Sequence, residues 1–422
     1  MTGTGPTSVL VAAGGAEWEV TALQRLAAGA PRVVLLKRCV DLHDLLASAA
    51  TREAQVALVT HDLPGLDADS VDHLRRAGLA VVMVAAGPPE AVGEVGERAQ
   101  RLGVDRVLGG DAMADLVETV VQAGADTQPG TGPEGTPDPL RAVERPHART
   151  LAVWGPTGAP GRTTLAVAIA ADLAHRGFGT FLADIDGHGG AVAQHLGVLD
   201  EISGLLAAAR LANSGQLDRD RLAGVARQVS PSLSVLTGLP RADRWPEVRD
   251  AAFGQVLDLA RSMADYLVLD TSFNLEADPA AAYGSPAPQR NGMTLAGLEA
   301  ADEVVVVGSA DPVGLTRLAR GLVDLLEVVP GHAVRVVVNR NRPALAWGQK
   351  EVRTMIEGFV SPSGVHFLPE DRAAADRALM SGRSLVELGE SPLRRAVGDI
   401  VDAITGVPAT RRSGRRIFSR SR

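Results

Sequence analysis

Residues 155–164 read Gly-Pro-Thr-Gly-Ala-Pro-Gly-Arg-Thr-Thr, a glycine-rich loop set between an apolar strand and a helical run. In that context the backbone N–H groups of the loop and of the helix N-terminus point at a bound phosphate. Gly158 and Gly161 let the backbone approach closely, and Thr163 offers a hydroxyl to Mg2+. Against the pattern GxxxxGK[ST], Pro156 stands at the first glycine and Arg162 at the lysine. A glycine-rich turn that merely caps a helix would read the same way, so the other strand ends decide. Asp184 and Asp186 end the run Phe181–Asp186, and Asp270 ends the apolar run Tyr266–Asp270, where a Mg2+-side acid is needed. Val336-Val-Val-Asn339-Arg340 closes a later strand with an amide able to read a purine edge. Phe367-Leu-Pro369-Glu-Asp371 and Gly382-Arg-Ser-Leu385 complete the series. A single aspartate at a strand end is often only a turn former. The order and spacing of the whole set are what point to a nucleotide.

These groups need a scaffold that brings strand ends together. Strands are predicted at Thr150–Trp154, Thr180–Asp184, Leu233–Leu236, Tyr266–Asp270, Glu303–Val307 and Val334–Asn339, with a long helix over Thr164–His175. Such a doubly wound α/β domain binds ligands at the carboxyl ends of its strands. Residues 126–149 hold five prolines and few large apolar residues, the composition of a linker. Ahead of it, apolar runs at Ser8–Ala13, Arg32–Lys37, Gln55–Thr60, Ala80–Ala85 and Asp105–Leu108 alternate with helical segments. The expected organisation is therefore two doubly wound parallel-sheet domains, 1–125 and 150–406, joined by the linker and followed by a basic tail, 407–422. The first resembles a response-regulator receiver domain, down to Leu63-Pro64-Gly65 after its third strand. Its chemistry is absent. Ala12-Ala13-Gly14-Gly15 stands where an acidic pair belongs, Thr60 occupies the acceptor position, and no lysine follows Leu108-Gly109-Gly110. A pseudo-receiver used for docking is the expectation.

The ordered motifs over 150–405 resemble the MinD/ParA family of deviant P-loop ATPases. With a receiver-like domain in front, the chain looks like the CpaE/TadZ branch, which positions and assembles Flp-type pili. The resemblance implies an ATP/ADP site with Mg2+. Its nucleotide-binding positions would be Gly158, Ala159, Pro160, Gly161, Arg162, Thr163, Thr164, Asn339, Pro369 and Asp371. Thr163, Asp184 and Asp270 would serve the metal, and Asp186, which positions the attacking water in the family, would be catalytic together with Arg162. The family's signature lysine, which reaches a partner's phosphates across a nucleotide sandwich dimer, falls on Thr157. A unit charge 4 Å from a phosphate is worth up to about 4 kcal/mol at an effective dielectric of 20. Its loss could slow hydrolysis by orders of magnitude, so nucleotide binding is expected and brisk hydrolysis is not. Implied partners are a second copy of the chain and proteins of a pilus or secretion machine. The alternatives are a ParA/MinD-like ATPase moving cargo on DNA or membrane, and a pseudo-ATPase without nucleotide.

Composition bounds the rest. The 422 residues are 45% hydrophobic and 22% charged, ordinary for a globular protein, and Cys39 is the only cysteine. No internal disulfide or cysteine-held cluster can form, and no apolar stretch approaches the ~20 residues of a membrane span. A cytoplasmic protein is expected, peripheral at the membrane if the tail acts there. Although the net charge is −8, residues 411–422 carry six arginines and no acid, with Ile417 and Phe418 among them. That tail suits an anionic surface, with DNA contact the lesser expectation, and a solvated basic tail with neither role the alternative. An insertion, Phe273–Asn291, follows Asp270 and could bear a switch, with Arg290 a possible source of the charge the loop lacks.

Overall fold

The computed structural model describes residues 5–85, 89–126, 147–158, 161–198, 202–278, 288–342 and 347–408. Most of the linker, the tail from 409 onward and the middle of the insertion lie outside the described residues.

The N-terminal sheet has five parallel strands, β1 (Thr7–Ala12), β2 (Val33–Arg38), β3 (Val56–Thr60), β4 (Ala80–Ala85) and β5 (Arg106–Gly109). Their order is β2-β1-β3-β4-β5, one of the two common doubly wound arrangements. β3 and β4 are buried along their whole length, which explains why they read as continuous apolar runs rather than alternating ones. Two apolar clusters cover the faces, one around Leu45, Leu74 and Met83 and one around Leu26, Leu58 and Leu116.

The C-terminal sheet has eight strands: β6 (Arg149–Trp154), β7 (Thr180–Asp184), β8 (Arg227–Ser230), β9 (Leu233–Leu236), β10 (Tyr266–Asp270), β11 (Glu303–Ser309), β12 (Ala333–Asn341) and β13 (Gly364–Pro369). They lie in the order β13-β12-β11-β6-β10-β7-β9-β8, parallel except for the β8–β9 pair. The chain leaves β6 for β7 on one side, and after β10 crosses to β11 on the other side of β6. This reversal opens the crevice beside the end of β6 where ligands of such sheets bind. The helix Arg162–His175 is buried from Leu165 to Leu173, lying between the sheet and the Pro392–Thr405 helix. Its nearly all-round apolar character is that of a core helix, not a surface one.

The two domains meet through side chains. Arg249 pairs with Asp67 at 2.7 Å. Arg98 donates to the Ser214 carbonyl at 3.2 Å, and Arg101 to the Gly215 carbonyl at 2.6 Å. Ala251 packs onto the N-terminal apolar cluster.

Candidate nucleotide site

The glycine-rich loop leaves β6 and enters the Arg162–His175 helix through Gly161, whose φ of +102° only glycine adopts at little cost. No side chain caps this helix, so its first N–H groups are left for a ligand. Gly158 also has a positive φ, +70°. Ala159 and Pro160, expected in the nucleotide cradle, lie outside the described residues.

Two of the strand-end carboxylates lie side by side. In the sheet register Asp270 stands directly beside Asp184 on β7 and beside Val153 on β6. Both carboxylates are 1% exposed. Asp184 accepts from the backbone N–H groups of Asp186 (3.2 Å) and Val192 (3.1 Å). Burial pushes its carboxyl up to about 7, with the charge of Asp186 adding to the rise. Asp270 is raised well above the usual carboxylate range, by burial first and by Asp184 next. Neither of its oxygens accepts a hydrogen bond of good geometry; the Thr163 hydroxyl and Arg162 lie near enough to pull its carboxyl back down. Gly190 and Gly238 press on Asp184, since a methyl group on either would overlap its carboxylate.

Asp186 accepts from the N–H groups of His188 (2.8 Å) and Gly189 (3.2 Å), and its other oxygen lies 3.7 Å from Arg162. Arg162 also donates to the Gly155 carbonyl at 3.0 Å and stacks over Phe273 at 5.8 Å. It therefore folds back on its own loop. His188, unremarkable in the sequence, reaches Asn291 at 3.0 Å and the ring of Phe273 at 5.3 Å. The described ends of the insertion are thus closed down on the Asp184–Asp186 segment. Arg290 does not approach the loop; its guanidinium sits over Trp245 and donates to the Ala242 carbonyl at 3.4 Å. The expectation that it could supply the missing charge fails for that reason.

On the far side of the loop a cleft of about 380 Å3 is lined by Gly161, Thr164, Asn339, Pro369 and Asp371 among others. A side chain at Gly161 would overlap the Asn339 amide. Asp371 caps the Arg372–Ser381 helix through the Ala374 N–H at 3.1 Å. Arg340, next to Asn339, holds a positive φ of 56°, the kind of backbone strain that gathers at ligand sites. The base-side residues expected from sequence therefore share one cleft with the helix N-terminus.

Among the described residues no group of three or more His, Cys, Asp and Glu side chains gathers as a metal cage. Mg2+ asks for none, because it is bound through one or two carboxylates plus substrate phosphates and waters. The two unsatisfied oxygens of Asp270 beside the Thr163 hydroxyl fit that donor set. Among the described residues, no helix is long and apolar enough to cross a membrane.

No protein-family model matches the sequence, and a comparison with curated proteins finds no match. Solved structures do match. A ParA family ATPase from Chlorobium tepidum is 18% identical and superposes with a TM-score of 0.50, over 60% of this chain and 98% of that one. The cell division ATPase MinD of Pyrococcus furiosus is 19% identical over 62% and 99%, with a TM-score of 0.49. The MinD of Pyrococcus horikoshii, solved with Mg-ADP, is 16% identical over 62% and 99%, with a TM-score of 0.48. At these identities the likeness is one of architecture: the chain shares the fold of the ParA family ATPase, a doubly wound sheet with a glycine-rich loop at the end of its central strand.

Proposed function

We propose that the C-terminal domain binds adenine nucleotide with Mg2+, and that nucleotide state sets dimerisation and partner binding in a localisation and scaffold factor for a pilus or secretion machine. The observation that carries the nucleotide part is the buried Asp270–Asp184 pair with two unsatisfied oxygens on Asp270, set beneath an uncapped helix N-terminus. An unpaired buried carboxylate is costly, and a cation held against phosphate relieves that cost. Thr163 and Asp270, with Asp184 behind them, would hold Mg2+, which neutralises phosphate charge when bound. The loop amides and Thr164 would take the phosphates, and Asn339 would face the base. Slow hydrolysis follows from Thr157 and from an Arg162 that is turned toward Gly155 and Asp186. The scaffold reading draws on the five-stranded domain ahead of the ATPase fold, whose strand ends carry Ala13, Thr60 and Gly109 in place of phosphotransfer groups.

Calorimetry and thermal melting with MgATP test it. Wild type should bind and melt higher in excess nucleotide, since a ligand of the native state stabilises it. Asp270→Ala should abolish the Mg2+ dependence while Asp278→Ala should not. No heat and no melting shift at millimolar MgATP would refute the reading.

A further inference from the structure

The loop lost a cation at Thr157, and another element brings one. The Pro312–Val328 helix starts just after β11, held by Asp311, which accepts from the Gly314 N–H at 2.9 Å and from the Ser309 hydroxyl. Residues four apart share a helix face, and two such residues meet the loop. Gly321 packs on its first residues: a methyl group there would stand 3.0 Å from Pro156 Cβ and 3.1 Å from the Trp154 ring. One turn earlier Arg317 lies on Gly158, where a methyl group would overlap Nη1 and stand 3.3 Å from Cζ. Arg317 is otherwise exposed. Among the described residues no carboxylate pairs with it.

We propose that Arg317 is the phosphate loop's cation, supplied within the same chain, and that it contacts the terminal phosphate of ATP. Loop N–H groups cradle the inner phosphates, which leaves the guanidinium lying on Gly158 for the outermost one. Arg162 is already engaged by Gly155 and Asp186. A guanidinium presents a donor fork that fits phosphate oxygens in pairs. Arginines delivered within one chain stabilise phosphoryl-transfer charge in other P-loop enzymes. Gly158 is then required for space, because any side chain there would displace Arg317.

This inference rests on the nucleotide reading, and the ratio of ATP to ADP affinity separates the two. Dissociation constants for MgATP and MgADP would be measured by calorimetry on the full chain for wild type, Arg317→Ala, Arg317→Lys and Arg320→Ala. Arg317→Ala should weaken ATP about tenfold, as expected for the loss of one solvent-exposed charge near a phosphate in almost bulk-water dielectric, and leave ADP within about twofold. Lysine should restore part of the ATP affinity. Arg320→Ala, which removes an exposed charge from the same helix where it lines a separate groove with Val323 and Trp347, should change neither. An unchanged ATP affinity in Arg317→Ala overturns the proposal while the nucleotide reading stands. Equal losses for ATP and ADP also overturn it, as the mark of a merely structural prop. A wild type that binds neither nucleotide ends both.

Discussion

Asp184 shows what burying an acid does when nothing charged answers it. Its carboxyl titrates near 7 in the folded chain, against an ordinary value of 3.8, chiefly because it is buried. The folded state therefore holds more protons than the unfolded state between those two values, and stability must fall as pH rises through that window. Without nucleotide, wild type should lose about 4 kcal/mol between pH 4 and pH 8 relative to Asp184→Asn, read from urea midpoints of both proteins at each pH. If Asp184 serves Mg2+ as proposed, MgATP should narrow the difference above pH 7, where the acid is ionised. A variant whose pH dependence parallels wild type throughout would contradict the assignment. The aspartates themselves were legible in the sequence, because each ends an apolar run. Their adjacency was not, since β7 lies beside β10 only after the chain has wound out to β9 and returned. Arg317 left no signal at all: it sits on the exposed face of a half-buried helix far along the chain from the loop, and its place against Gly158 is visible only in the structure.

At the scale of elements, the fold holds its central helix with one arginine. Arg176, just past the end of the Arg162–His175 helix, is 10% exposed and pairs with Asp172 at 2.7 Å and Asp402 at 2.6 Å. It also donates to the carbonyls of Gly398 and Val407, both at 3.0 Å. It thereby fastens the helix that follows the glycine-rich loop to the Pro392–Thr405 helix that covers it. Removing one partner of a buried pair strands the other charge, which typically costs about 3–5 kcal/mol. Arg176→Met should lower the unfolding free energy by about that much, measured in urea, whereas exposed Arg241→Met should change it by less than about 1 kcal/mol. In the eight-stranded sheet, apolar periodicity located the inner strands but not the edges. β8, Arg-Gln-Val-Ser, is almost wholly polar, and β13 mixes half-exposed residues with a terminal proline. Edge strands tolerate both, which is why neither stood out as a strand. β5 begins one residue later than its apolar run suggests and ends on Gly109.

Across the whole molecule, the N-terminal domain meets the eight-stranded one beside the carboxyl end of β3. Thr60 closes β3 and donates to Asp62 at 2.6 Å. Arg98 donates to the carbonyl of His61, between them, at 2.8 Å and to Ser214 across the domain boundary. Gly215 lets the boundary close, since a methyl group there would stand 2.9 Å from Arg98 Cγ and 3.0 Å from Leu102 Cγ, and its φ is +66°. Arg249 bonds to Asp67 on the same side of the N-terminal domain, and Asp67 in turn caps the Ala68–Arg76 helix. The contacts are few and partly exposed, so the docking should yield before either domain unfolds. Arg98→Ala combined with Arg249→Ala should raise the radius of gyration in solution scattering, while circular dichroism and the melting temperature of the C-terminal domain stay near wild type. Gly215→Leu should do the same by wedging the boundary apart rather than by removing bonds, and agreement between the two variants would tie the expansion to this face. MgATP affinity should be unaffected in both, because none of these residues lines the cleft beside Gly161 and Asn339. Unchanged scattering in both variants would mean that the domains are held by something other than these side chains.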